Sequence, residues 1–195
     1  IMIDKLKSLP PVSEMMRECG LEPKKQFGQN FLFDLNLTGR IARSVPNIEH
    51  TPVVEVGPGP GGLTRAILLA GAPRVIAIEK DKTTAPILSQ IVDVSAGRLS
   101  VIYDDALRVN FSELGLNEYA ICANLPYNVG TELLIGWLQK IAHGERILSL
   151  TLMATIFASC TPKTPDNSDN NSNEIVVDNT NANVVYQTLI RNGIS

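Results

Sequence analysis

Val53-Val54-Glu55-Val56-Gly57-Pro58-Gly59-Pro60-Gly61-Gly62-Leu63-Thr64 decides how the rest of the chain folds. A β-branched apolar run stops at four glycines and two prolines, and a helical spacing (Leu63, Ala66, Ile67, Ala70) follows. The pattern predicts a strand, a tight turn and a helix N-terminus. Glycine permits positive φ and lets a ligand approach bare backbone. The first turn of the helix aims its free N–H groups at the same place. The glycines alone leave two readings open. Gly57, Gly59 and Gly62 fit a dinucleotide fingerprint, and Gly57, Gly59 and Gly61 fit the nucleoside-binding turn of methyltransferases. Glu55 is a charge inside a strand that reads as buried. Its expected role is to accept hydrogen bonds from turn amides or from a cationic ligand group. Glu79 closes the next apolar run, Arg74 to Ile78, and a carboxylate at a strand tip suits a ribose diol.

From Val53 onward, strand and helix patterns alternate. Strands are expected at 53–57, 74–79, 98–103, 119–124 and 147–153, with helices near 62–70, 84–95 and 130–141. Continuous apolar strands separated by amphipathic helices imply a parallel sheet covered on both faces. Right-handed crossovers gather every strand's C-terminal end at one edge, where ligands bind. Glu79, Asp104-Asp105 and Asn124 then fall at that edge beside the glycine turn. Upstream, Val12, Met15, Met16 and Cys19 form a helical face closed by Gly20, and Asp34 caps a helix carrying Leu37, Ile41 and Val45 that Pro46 ends. Between them, Lys24 to Leu32 interleaves amides with aromatics and reads as a segment folding over a ligand.

The chain has 195 residues, 44% hydrophobic and 19% charged, enough for one substantial core. A net charge of −3 supplies no global basic field for nucleic acid. Cys19, Cys122 and Cys160 are widely spaced with no adjacent histidine, so neither a metal site nor a disulfide framework is expected. No stretch has the length or apolarity of a membrane span, and a cytoplasmic location is expected.

Strand four ends in Asn124-Leu125-Pro126-Tyr127, a stiff turn suited to adenine amine chemistry. That amine is a poor nucleophile because its lone pair is delocalised into the ring. An amide oxygen and a proline-held carbonyl accepting its N–H groups return density to nitrogen. The aromatic ring stacks on a flipped base, offsetting a few kcal/mol of unstacking with roughly 1–3 kcal/mol of stacking.

Residues 24–153 resemble the KsgA-type rRNA adenine dimethyltransferases, whose relatives include the mitochondrial transcription factor B proteins. The matching motifs are Gln29-Asn30-Phe31-Leu32, the Glu55-to-Gly62 turn, Glu79-Lys80-Asp81, Asp105-Ala106-Leu107, Asn124-Leu125-Pro126-Tyr127 and Leu150-Thr151-Leu152-Met153. The resemblance implies a Rossmann-like α/β class I methyltransferase fold using S-adenosyl-L-methionine. It implies dimethylation of two neighbouring adenines of small-subunit rRNA, by in-line displacement of the sulfonium methyl. The implied partner is small-subunit rRNA in an immature ribosomal subunit, and the chain is expected to act as a monomer without metal. Carried over, Asn30 and Leu32 would close over the cofactor, Gly57 would contact its methionine part and Glu79 its ribose hydroxyls. Asp105 would accept from the cofactor's adenine amine, Asn124 would touch cofactor and target, and Tyr127 would stack on the target base. Gln29, Glu55, Gly59, Gly61, Lys80 and Ala106 complete the cofactor set, and Leu125 and Pro126 the catalytic turn.

The organisation expected is an N-terminal arm over 1–33, a methyltransferase domain over 34–153 and a divergent stretch over 154–195. After Met153 the family pattern breaks, and the last strands of the sheet are expected to be divergent or missing. Residues 161–173 are dense in Asn, Asp, Ser, Thr and Pro, a linker or disordered composition. Val176-Val177 and Val184 to Ile190 are strand-like, so a hairpin stays open as an alternative. Two rival functions remain. An NAD-dependent oxidoreductase explains the glycines and Glu79 but gives Asn124-to-Tyr127 no task, and a catalytically impaired RNA-binding or transcription-assisting relative keeps the fold without the reaction.

Overall fold

The computed structural model describes residues 1–21, 33–124, 129–155, 176–177 and 184–190. In chain order the helices are α1 (Met2–Ser8), α2 (Val12–Glu18), α3 (Leu35–Arg43), α4 (Gly62–Leu69), α5 (Ala85–Val94) and α6 (Gly130–Ala142). The strands are β1 (Val53–Val56), β2 (Val75–Ile78), β3 (Leu99–Ile102), β4 (Tyr119–Asn124), β5 (Ile147–Thr155), β6 (Val176–Val177) and β7 (Val184–Ile190). Short 3₁₀ turns occupy Lys82–Thr84 and Phe111–Leu114.

The sheet order is β3-β2-β1-β4-β5-β7-β6, parallel from β3 through β5. The order reverses between β1 and β4, which places a switch-point crevice outside their C-terminal ends. Strands β1 and β2 are buried at all four positions each, the reason that, Glu55 apart, they read as continuous apolar runs rather than alternating ones. The ladder also runs one residue past each of them. Gly57 N–H donates to Ile78 O at 3.0 Å and Glu79 N–H to Ile102 O at 2.9 Å.

Period-two alternation divides the strand side chains between two layers. Val53, Ala77 and Cys122 pack with Leu6, Met15, Ile41, Ile67 and Leu88 of the helices on one face. Val54, Ile78 and Ile121 pack with Phe111, Leu133 and Trp137 on the other. Each Val, Leu, Ile, Met or Phe side chain among them contributes about 1.5–3 kcal/mol when fully buried. Tyr119 is 1% exposed, and its hydroxyl donates to Glu145 Oε1 at 2.6 Å, tying the start of β4 to the connection ahead of β5.

Asp34 caps α3 as its residue type implies, accepting from Asn36 N–H at 2.8 Å and Leu37 N–H at 3.3 Å. Sequence reasoning passed over α1, a seven-residue helix with no side-chain cap and only Leu6 buried. Its anchor lies elsewhere. Arg65, 5% exposed on α4, donates from Nη1 to Pro10 O at 2.8 Å and from Nη2 to Leu9 O at 2.8 Å and Lys7 O at 3.2 Å. One guanidinium thereby satisfies carbonyls left over where α1 ends.

Beyond β5, the β7 backbone pairs antiparallel with it from Ser149↔Ile190 to Thr155↔Val184, and β6 pairs with β7. The outer edge of β5 is therefore paired, and β5 runs two residues past the expected Met153 because β7 supplies partners for Ala154 and Thr155. Among the described residues, no helix is long and apolar enough to cross a membrane, and no group of three or more His, Cys, Asp or Glu side chains is placed to hold a metal ion.

Candidate active site

The crevice begins where β1 gives way to the glycine turn. Gly57 has φ +74°, and a Cβ built there would stand 3.1 Å from the Asn124 carbonyl oxygen. A side chain at the tip of β1 would thus crowd the tip of β4, on a φ that already favours glycine. Gly61, at φ +87°, is the N-cap of α4, and that helix begins with no side-chain cap. Its first N–H groups are left for another acceptor.

The second wall is the tip of β2. Glu79 is 7% exposed and accepts through Oε2 from Gly59 N–H at 2.9 Å and through Oε1 from Asp81 N–H at 2.7 Å. Each oxygen keeps a further lone pair for a hydroxyl donor. Beyond β3, Asp105 Oδ2 takes a 2.6 Å charge-assisted bond from Lys80 Nζ, and Oδ1 accepts from Leu107 N–H at 3.1 Å. The Lys80 hydrogen bond, helped by the Leu107 amide, holds the Asp105 carboxyl below the usual carboxylate range. Asp105 therefore presents as an acceptor, matched to a donor such as an amine. Ala106 is half-buried and packs on the second core.

Glu55 lies under the turn. It is 1% exposed, pairs in register with Ala77 and Cys122, and its Oε2 has no hydrogen-bond partner. Burial pushes its carboxyl up to about 8, and Glu79 adds to the rise. The Thr64 hydroxyl opposes that rise, yet neither Thr64 Oγ1 nor Glu55 Oε2 completes a hydrogen bond. The glycine amides go elsewhere, since Gly57 donates to Ile78 O, Gly59 to Glu79 and Gly61 to Pro58 O. None of these three amides goes to Glu55.

The site residues follow one another along one edge: Gly57 lies close against the Asn124 carbonyl, Gly59 is hydrogen-bonded to Glu79, and Lys80 to Asp105. Gln29, Asn30, Leu32, Leu125, Pro126 and Tyr127 lie outside the described residues. Tyr103 was not singled out from sequence. It is half-buried directly after β3, and burial, reinforced by Glu79, raises its phenol pKa. Its one sequence signal was its place at the end of the apolar run 98–103. The acceptor set suits an adenosine-bearing cation, with acids for hydroxyls and amine, bare backbone for close approach, and an unpartnered buried carboxyl oxygen.

A family model described as "Ribosomal RNA adenine dimethylase" matches residues 20–172, running past Met153. "Ribosomal RNA small subunit methyltransferase A" of Rhizobium meliloti (strain 1021) is 54% identical over 148 residues, covering 76% of this chain and 54% of the relative. The protein of the same name from Rhodospirillum rubrum is 53% identical over 140 residues, covering 72% and 49%. The chain thus spans about half the length of the curated relatives it matches. Among solved structures, the 23S rRNA methyltransferase ErmE superposes with a TM-score of 0.59 at 20% identity, covering 84% of this chain and 70% of that one. A dimethyladenosine transferase from Plasmodium falciparum gives 0.57 at 18% identity, covering 80% and 61%. At such identities the superpositions establish the methyltransferase sheet and nothing finer. With most of its length matched by the family model, the chain belongs to the ribosomal RNA adenine dimethylase family.

Proposed function

We propose that this chain binds S-adenosyl-L-methionine and transfers methyl groups to N6 of two adjacent adenines in small-subunit rRNA, a cytoplasmic step of ribosome biogenesis. The observation that carries the reading is the continuous edge on which Gly57 meets Asn124, Gly59 meets Glu79 and Lys80 meets Asp105. A nucleoside cofactor needs hydroxyl acceptors, an amine acceptor and bare backbone in one cleft, and this edge supplies all three.

When bound, the cofactor supplies an electrophilic sulfonium methyl. The chain's part is binding, orientation and electrostatics. Glu79 holds the ribose hydroxyls, Asp105 accepts from the adenine amine, and Gly57 admits the methionine part against main chain. The Asn124 side chain accepts from the target amine, keeping its lone pair on nitrogen, and Tyr127 is the residue to stack on the base. No strong general base is needed, because the proton leaves to water after transfer. The rate advantage then comes from positioning and from stabilising charge as it develops.

The test is transfer of labelled methyl groups from S-adenosylmethionine to unmethylated small-subunit particles. Asn124→Ala is expected to lower transfer at least about 100-fold, as removal of one preorganised polar contact does elsewhere. Transfer at the unmodified rate by that variant would refute the assignment of Asn124.

A further inference from the structure

The Glu55 carboxyl has no role in the hydrogen-bonding just described, yet it is the most deeply buried acid at the crevice. Two buried polar atoms beneath the turn lack partners, Glu55 Oε2 from β1 and Thr64 Oγ1 from the first turn of α4. An ionised carboxylate there would be desolvated, with the Thr64 hydroxyl only a partial offset, so the neutral acid is favoured. The titratable groups acting around it do not relieve this. Glu79, from the tip of β2, raises the Glu55 pKa further. Cys122, beside it on β4, is itself pushed up by burial and then by Glu55. Arg65 on α4 spends its Nη groups on the carbonyls of Lys7, Leu9 and Pro10. The buried pair of acids and a thiol therefore awaits a positive charge that these neighbours do not supply.

We propose that Glu55 is a proton-exchanging counter-ion for the cationic methionine end of the cofactor. It is protonated in the ligand-free chain and ionised in the complex. The proposal rests on the S-adenosylmethionine reading and adds to it a linked proton. The balance is simple: the Glu55 O–H bond breaks, the proton passes to solvent, and the carboxylate is left facing a cation whose charge it offsets. An acid near 8 when unliganded is mostly protonated at neutral pH, so a measurable proton is there to be released. Because Glu55 acts beneath the turn by its charge, it is a positioning residue rather than a catalytic one.

The experiment is titration calorimetry of the full chain with S-adenosylmethionine at pH 6.5, in phosphate and in Tris, whose ionisation heats differ widely. That pH lies below the range of a free α-amino group, roughly 7.7–8.0. Wild type is expected to show unequal heats corresponding to close to one proton released, and affinity rising up to about tenfold per pH unit from pH 6 to 7. Glu55→Gln is expected to give equal heats in both buffers and a flat affinity over the same range. The neutral analogue 5′-methylthioadenosine, which lacks the amino-acid end, is expected to bind wild type without proton release. Equal heats for wild type with measurable S-adenosylmethionine binding would overturn the proton exchange, as would release with the neutral analogue. Absence of any binding by the folded wild-type chain would instead overturn the cofactor reading beneath it.

Discussion

Between the ordinary value of 4.5 and about 8, Glu55 is protonated in the folded chain and ionised in the unfolded one. The unfolded state then binds fewer protons, so raising the pH across this window favours unfolding. The stability present below pH 4.5 is lost progressively as pH climbs toward the folded value, at about 1.4 kcal/mol per pH unit for one such group. Urea titrations of ligand-free protein at pH 5, 6, 7 and 8 are expected to show that decline, and Glu55→Gln is expected to flatten it. A variant that keeps the full slope would place the titrating group elsewhere. Glu55 was legible in sequence as an anomaly, a charge inside an apolar strand, and it is 1% exposed. What sequence could not reveal was its lack of a partner at Oε2, because that depends on where the amides of Gly57, Gly59 and Gly61 point.

The strand–turn–helix element from β1 to α4 sets tolerances that differ between neighbouring glycines. Alanine at Gly57 meets both an unfavourable φ of +74° and the Asn124 carbonyl at 3.1 Å. At Gly59, with φ +53°, nothing lies within 4 Å of the added Cβ. Backbone strain alone costs roughly 1–2 kcal/mol, so Gly59→Ala should lose about that much and Gly57→Ala distinctly more. Chemical denaturation of the two variants checks the order, and equal losses would deny the contact between β1 and β4. The second element-scale expectation concerns α1. Arg65→Ala removes charge-assisted donors from three carbonyls at the α1–α2 connection and is expected to cost about 2–3 kcal/mol. A melt of that variant should fall well below that of an exposed control such as Arg146→Ala, whose partner Glu118 is only partly buried. The helix α1 escaped sequence reading because a seven-residue segment has too few turns to show a period, and its anchor is 55 to 58 residues away.

For the whole molecule, the choice between cofactors can be read from stability. A ligand bound only by the folded state raises stability by about 2.7 kcal/mol at a hundred times its dissociation constant. S-adenosylmethionine is expected to raise the melting temperature of the intact chain, and NAD at the same concentration to leave it unchanged. The reverse outcome would favour the oxidoreductase reading of the same glycines. A net charge of −3 gives the chain no global attraction to a polyanion, so any nucleic-acid binding would have to rest on local contacts.

The sequence by itself determined the alternation of strands and helices, the glycine turn and the identity of the acids that follow the strands. These are set by local chemistry: β-branched runs, helical periodicity, and glycine where the backbone must turn. It also fixed family membership, because the motifs are contiguous and need no fold to be recognised. Tertiary structure alone decided that β7 covers β5, that Arg65 holds α1, that Gly59 is bonded to Glu79 and that Lys80 is bonded to Asp105. Those facts join residues 20 to 58 positions apart in pairing and orientation, and no local pattern encodes which of several acceptors a given donor will reach.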